Sequence, residues 1–202
     1  MQEDQLKKLC EQKLKSAPLE LDANAIEKLT EYLQLLHKWN QTYNLTSIDT
    51  LEEMITHHLL DSLSIAPFIQ GELILDVGTG AGLPGIPLAI AQPNNKFYLL
   101  DSNGKKIRFL THVLHQLRLD NVELIQARIE EYQTYHCFNS IVSRAFSSLA
   151  DFVEQSKHLL CENGVWLAMK GLMPQGEINE IKDRYQTTAI QLHVEGLEAE
   201  RH

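Results

Sequence analysis

The chain has 202 residues, 44% hydrophobic and 22% charged, a balance that excludes wholesale disorder and suffices for one α/β domain plus a short extension. Eighteen Lys and Arg stand against 27 Asp and Glu, a net charge of −9. That excludes a blanket basic coat for gripping nucleic acid, but not a local basic patch.

The first residues, Met1-Gln2-Glu3-Asp4, lack the basic start and apolar run of a signal peptide. No apolar run reaches the ~18 residues of a membrane span. Cys10, Cys137 and Cys161 are scattered, with no C-x-x-C pair. They argue against a disulfide framework and a zinc ribbon, and Cys137 and Cys161 read as ordinary buried thiols of a reducing compartment. The expectation is a soluble, cytoplasmic protein.

Up to Gly71 the pattern is helical. Ile26, Leu29, Leu33 and Leu36 recur at three and four residues, with Tyr32 beside them. Asp22 is a candidate N-cap, and Asn40 to Asn44 is a polar break. Asp49 or Thr50 would cap a second helix running through Met54 towards Leu59. Asp61-Ser62-Leu63-Ser64 then leads through Pro67 to Gly71.

From Glu72 short apolar runs alternate with amphipathic stretches of helix length. The strand candidates are Glu72–Val77, Lys96–Asp101, Val122–Ile125, Ser140–Ser143, Val165–Lys170 and Ile190–Val194. Alternating strands and helices predict βαβ units and a mostly parallel sheet covered on both faces, a doubly wound α/β fold. Residues 1–70 would form a helical cap on a core of residues 71–202, together one compact unit.

The sharpest motif is Asp76-Val77-Gly78-Thr79-Gly80-Ala81-Gly82-Leu83-Pro84-Gly85-Ile86-Pro87, which follows the first strand and opens a helix. Glycines here allow a tight turn and a close ligand approach at the carboxyl ends of the strands. Two readings compete. Gly80-x-Gly82-x-x-Gly85 matches the dinucleotide fingerprint, with Asp101 placed 21 residues on as an acidic ribose partner, which would make the chain an NAD-linked oxidoreductase. Asp76-Val77-Gly78-x-Gly80-x-Gly82 has instead the shape of an S-adenosylmethionine (SAM) site. Pro84 and Pro87 crowd the place where a pyrophosphate needs open amides, and SAM has no phosphate. Asp101 would accept from ribose hydroxyls in either case, and Asp101 or Ser102 would also cap the helix that follows.

Several runs together resemble one family, the glucose-inhibited division protein B family. They are Trp39-Asn40 with Asn44-Leu45-Thr46, His58-Leu59-Leu60-Asp61-Ser62, the Asp76–Pro87 turn, Leu100-Asp101-Ser102 with Lys105-Lys106, Ser143-Arg144-Ala145-Phe146, and Lys170-Gly171. The similarity runs from about Leu33 to Gly171. It implies a Rossmann-like class I SAM-dependent methyltransferase acting on N7 of a guanine in 16S small-subunit ribosomal RNA. It also implies that SAM is held by Gly78, Leu83, Ile129, Glu130 and Arg144, beside Thr79, Gly80, Gly82 and Asp101 of the turn and second strand. The family continues past Glu-Arg-His into a last strand, whereas this sequence stops at Glu200-Arg201-His202. The expectation is a sheet without its final strand.

N7 of guanine carries a free in-plane lone pair, so its methylation needs alignment and exclusion of water rather than a general base. The Asn/Asp-Pro-Pro-aromatic motif of exocyclic-amine methylation is absent, as is the Pro-Cys nucleophile of pyrimidine-carbon methylation. Arg144, directly after apolar Ile141-Val142, is expected in the site rather than in a surface ion pair, and the resemblance implies a place beside the transferred methyl group. For His58 and Asp61, a polar contact near the SAM pocket and plain capping or packing are both open. His57-His58 with Asp61, and His112-x-x-His115, lack further ligands at a metal-binding spacing, so no metal is expected.

After Asp101, Ile107, Leu110, Leu114 and Leu117 would face the core, with Lys105, Arg108, His112 and His115 opposite. Lys96 to Arg128 holds six basic and three acidic residues, a reversal of the chain's overall sign. Lys105, Lys106 and Arg108 are therefore candidate RNA contacts, with a solvated helix face as the bland alternative. The expected partner is small-subunit ribosomal RNA or a ribosomal particle, met by a monomer away from membranes. A methyltransferase-like module that binds RNA and SAM without catalysis is the remaining alternative.

Overall fold

The computed structural model describes residues 3–144, 146–197 and 201–202. Ala145 and Glu200 of the motifs above lie outside the described residues.

The N-terminal part is built from helices. They are α1 (Glu3–Lys13), α2 (Ala23–Tyr43), α3 (Leu51–Met54), a π-helix (Ile55–Leu60) and α4 (Asp61–Leu63). The Asp22 carboxylate accepts from the Ala25 amide at 2.7 Å, which starts α2 where expected. The helix runs through the polar stretch to Tyr43 and ends on Asn44, whose left-handed backbone suits a helix stop. Asn40 is buried and not a break; its side chain accepts from the Thr46 amide and donates to Asp49. Thr50, rather than Asp49, caps α3 through the Glu53 amide.

The rest is a five-stranded, wholly parallel sheet in the order β3-β2-β1-β4-β5. The strands are β1 (Leu73–Val77), β2 (Lys96–Leu100), β3 (Val122–Ile125), β4 (Phe138–Ser143) and β5 (Leu160–Ala168). Central β1 is covered on both faces, so Ile74, Leu75, Asp76 and Val77 are all buried, and a continuous apolar run replaces alternation. Helices α5 (Gly85–Ala91), α6 (Gly104–Leu117), α7 (Leu149–Ser156) and α8 (Gln175–Ile181) complete the layers. One apolar cluster joins Leu6, Leu29, Leu33 and Leu36 of the N-terminal helices to Ile86, Leu88, Phe109 and Val142. The helical part and one sheet face thus share a core.

Three expectations need correction. The strand over Ile190–Val194 does not form; only Leu192 makes an antiparallel bridge, with Arg201, while Ile190 is exposed. His202 exchanges both backbone hydrogen bonds with Lys170, just past β5, and Arg201 bridges Leu192, so these two residues pair antiparallel outside the five strands. Cys137 and Cys161 are not separate buried thiols. They are bonded to each other, because parallel pairing of Phe138 with Leu160 sets their Cα atoms 4.9 Å apart. Cys137 is exposed, Cys161 half-buried, and only Cys10 is a buried free thiol, its pKa raised by burial. Finally, the deepest side chains of α6 include Phe109 and Val113, while Ile107 and Leu114 are half-buried. The wide apolar stripe of a core-facing helix takes in more positions than one three-four ladder. His112 also packs at 5.5 Å against Trp39 of α2 and does not simply face solvent.

Candidate functional site

Asp76, next to last in β1, is fully buried. Its Oδ2 accepts from the Thr79 hydroxyl at 2.6 Å and the Gly85 amide at 2.8 Å, while Oδ1 has no partner in the protein. Burial, only partly offset by those two donors and by Arg144, pushes its pKa up to about 6.

Gly78, Gly80 and Gly82 all have positive φ, at 69°, 63° and 93°. A side chain at Gly78 would meet nothing within 4 Å, so this position faces open space. At Gly82 a Cβ would lie 2.5 Å from Ile86 and 2.7 Å from Leu110. The first of these glycines lets a ligand approach the backbone; the last lets α6 approach it from behind.

The amides of this turn are largely spent inside it. Those of Gly78 and Thr79 donate to the Leu100 carbonyl, and those of Gly82 and Leu83 to the Thr79 carbonyl. Gly80 donates to Asp101 Oδ2 at 2.9 Å and Gly85 to Asp76. Pro84 has no amide hydrogen, and α5 is only seven residues long. A pyrophosphate needs such amides free, so the dinucleotide reading is overturned. From below, the Tyr32 hydroxyl of α2 donates to the Ala81 carbonyl at 2.8 Å. Burial, first of all, raises the pKa of this phenol.

Asp101 follows β2, next to the turn. Its Oδ1 accepts from the Asn103 amide, and its Oδ2 faces the Lys106 ammonium at 3.4 Å. Asn103, and not Asp101 or Ser102, caps α6, accepting from the Lys105 amide. The Lys106 ammonium is therefore drawn towards Asp101 and the glycine turn, whereas Lys105 and Arg108 are exposed on α6. Thr79 is buried with its hydroxyl turned onto Asp76, and Leu83 is in the core. Ile129 and Glu130 lie in a 3₁₀ turn after β3; Ile129 is buried, and exposed Glu130 pairs with Arg128 at 3.9 Å.

At the end of β4, the Ser143 hydroxyl donates to the Val77 carbonyl, and half-buried Arg144 reaches across to the N-terminal helices. Its guanidinium donates to the His57 carbonyl at 3.0 Å and to Asp61 Oδ2 at 3.4 Å. Arg201 donates to Asp61 Oδ1 at 2.8 Å, so one buried carboxylate holds two guanidinium groups. The backbone that presents His57, His58 and Asp61 passes through the π-helix, a distortion often found at functional sites.

His58 is buried, with Nε2 on the Thr46 hydroxyl at 2.9 Å. Burial and the nearby Arg144 charge pull its pKa down to about 4, so the ring is neutral at physiological pH. Sequence reasoning missed Tyr32, Thr46, Arg201 and Asn103 as supports of this site. Only the Trp39-to-Thr46 run hinted at one of them; a tyrosine inside an apolar stripe gives no sign of where its hydroxyl ends. Among the described residues no group of three or more His, Cys, Asp or Glu is placed to hold a metal ion, and no helix is long and apolar enough to cross a membrane.

The site residues fit SAM. They offer an unpartnered buried carboxylate oxygen, a glycine turn open at Gly78, and an acidic residue at the tip of the second strand.

A family model described as "rRNA small subunit methyltransferase G" matches residues 25–202. The "Ribosomal RNA small subunit methyltransferase G" of Idiomarina loihiensis is 46% identical over 200 residues, 98% of this chain and 95% of its own. The protein of that name from Escherichia coli strain SMS-3-5 is 47% identical over 190 residues, covering 94% and 92%. Among solved structures, a ribosomal protein L11 methylase from Lactobacillus delbrueckii subsp. bulgaricus aligns with a TM-score of 0.55 at 15% identity, over 70% of this chain and 73% of that one. A precorrin-6y C5,15-methyltransferase from Geobacter metallireducens aligns at 0.53 and 16% identity, over 71% and 82%. At such identity these two speak for the fold alone, that of the class I SAM-dependent methyltransferases.

Proposed function

The chain belongs to the small-subunit ribosomal RNA methyltransferase G family, and we propose on that ground that it methylates N7 of a guanine in 16S ribosomal RNA with SAM as donor. The observation that carries the reading is the glycine turn. Its amides are taken by Leu100, Asp101, Thr79 and Asp76, while Asp76 Oδ1 has no partner and the Asp101 carboxylate stands at the tip of β2. That chemistry suits a nucleoside with hydroxyls and a cationic amino-acid tail better than a pyrophosphate.

SAM, when bound, supplies an electrophilic methyl group on a sulfonium. The residues that would hold it are Gly78, Thr79, Gly80, Gly82, Leu83, Asp101, Ile129, Glu130 and Arg144. The Asp101 carboxylate would accept from ribose hydroxyls. Ile129 would offer apolar surface, and Glu130 a carboxylate, towards the adenine. Arg144 is held by Asp61 and the His57 carbonyl, so its position is set before substrate arrives.

The acceptor nitrogen has its lone pair free in the ring plane, and no proton has to leave before the new bond forms. Neutral His58 is consistent with this: it is available as a hydrogen-bonding support and is not needed as a base. Lys105 and Arg108 supply the exposed basic face of α6 for phosphates, and Lys106 joins them from the cofactor side. Residues 1–70 act as a cap on the 71–202 core, lending Tyr32, His58 and Asp61 to it. The enzyme works as a monomer in the cytoplasm without a metal.

The direct test supplies purified small subunits from cells lacking this gene, together with SAM labelled in its methyl group. The expected product is 7-methylguanosine at one position, mapped by mass spectrometry. Failure to bind SAM in calorimetry, or a label on another base atom, would overturn the reading.

A further inference from the structure

Between β4 and α7, Arg144, Phe146 and Leu149 are held by contacts from three directions. Ser143 and Arg144 are tied to β1 and the helical part. Lys170, just after β5, donates its ammonium to the Phe146 carbonyl at 3.4 Å. Glu177 of α8 accepts the Leu149 amide, the first of α7, at 2.7 Å, and takes the same Lys170 ammonium on both oxygens at 3.2 and 2.9 Å. The Lys170 side chain is only 17% exposed. A charged group is thus desolvated to fix a loop backbone, which simple filling of the core does not require. The residue so fixed is an aromatic. Phe146 is half-buried, its ring tilted 44° against that of buried Phe152 with centroids 5.4 Å apart, and it stands two residues after Arg144.

Resting on the functional reading above, we infer that Phe146 is the surface on which the acceptor guanine stacks, and that Glu177 is the residue that positions it through Lys170 and the Leu149 amide. A base presented to an enzyme outside its helix needs a π-face to replace its lost stacking partners, and an aromatic side chain supplies one. Stacking carries no sequence information, so it complements Arg144 and α6. It also constrains only the plane of the ring, the direction that matters for an in-line approach to an in-plane lone pair. A loop free to move by an ångström would lose that alignment. The Glu177–Lys170 pair therefore positions the stacking surface and touches no reactant itself.

The test measures kcat and KM on small subunits from cells lacking the gene, and SAM affinity by calorimetry, for four variants. Phe146→Leu is expected to lower kcat/KM at least tenfold, with SAM affinity within twofold of wild type. Phe146→Trp keeps a π-face and restores most of the loss. Glu177→Gln keeps an oxygen for the Leu149 amide but loses the negative charge that faces Lys170, and is expected to lower kcat/KM several-fold. In the Phe146→Leu, Glu177→Gln double variant, the second change adds little, because both act on the same contact. A residue that merely stabilised the fold would act independently and would shift SAM binding too. Wild-type kcat/KM in Phe146→Leu, or full additivity in the double variant, would overturn the inference. An inactive wild type would sink the functional reading instead.

Discussion

Asp76 offers a test in which the sign and size of the effect follow from one buried group. Its pKa is about 6 in the folded chain, against an ordinary 3.8. The folded state therefore holds this proton more tightly than the unfolded state does. Stability from this group is fully present below pH 3.8 and is lost as the pH rises through about 6. At 1.36 kcal/mol per unit, the charged carboxylate at pH 7.5 costs the fold about 3 kcal/mol, of which about 1 is already lost at pH 4.5. In Asp76→Asn, the side-chain oxygen still accepts from Thr79 and Gly85, and the amide NH₂ takes the place of the unpartnered Oδ1. That NH₂ carries its own burial penalty, of order 1–3 kcal/mol, but this does not change with pH.

The pH dependence is therefore the clean quantity. Between pH 4.5 and 7.5 wild type should lose about 2 kcal/mol relative to Asp76→Asn, read as the difference in unfolding free energy from urea titrations without SAM. The same variant should bind SAM more weakly, since its site has lost a negative charge facing a cationic ligand. Parallel pH profiles for the two proteins would refute the reasoning, by showing that Asp76 is not desolvated in the folded chain.

Three further outcomes follow from other contacts. Tyr32→Phe removes one buried hydrogen bond from the Ala81 carbonyl and should cost about 1 kcal/mol in a urea titration, with SAM binding weakened in parallel. Unchanged SAM affinity would show that the turn needs no support from α2. Gly82→Ala places a methyl group 2.5 Å from Ile86 at a φ of 93°, and should lower stability by roughly 2–4 kcal/mol, whereas at Gly78, where an added Cβ meets nothing within 4 Å, Gly78→Asp should abolish SAM binding at a smaller stability cost. Equal melting temperatures for the two variants would contradict that division. Lys105→Glu with Arg108→Glu should weaken binding to small subunits and flatten its salt dependence, with SAM affinity unchanged in calorimetry. Normal activity of that variant at moderate salt would remove α6 from the RNA footprint.

Much of this protein is legible in one dimension. The order of strands and helices dictates a parallel sheet, because parallel strands require crossovers and the crossovers here read as helices. The Asp76–Pro87 run dictates a glycine turn at the end of β1, because few other residues tolerate three positive φ values in five positions. Asp101 and Arg144 are placed by the same rule, as polar residues directly after buried strands.

What the order of residues could not state is which distant groups share a carboxylate or a hydroxyl. Asp61 takes Arg201 from 140 positions away, and Tyr32 reaches Ala81 across 49. The pairing of Cys137 with Cys161 depends on the register of two strands, and the sequence holds no periodic signal for it. The choice between a dinucleotide and SAM drew on both levels, since Pro84 and Pro87 already spoke against a pyrophosphate in the sequence. Both fingerprints fit the glycines, and only the hydrogen bonds reveal that the amides are already taken. A sequence specifies its periodicity through the local geometry of the backbone. It specifies its polar partners only through packing, once every buried donor and acceptor has to find one.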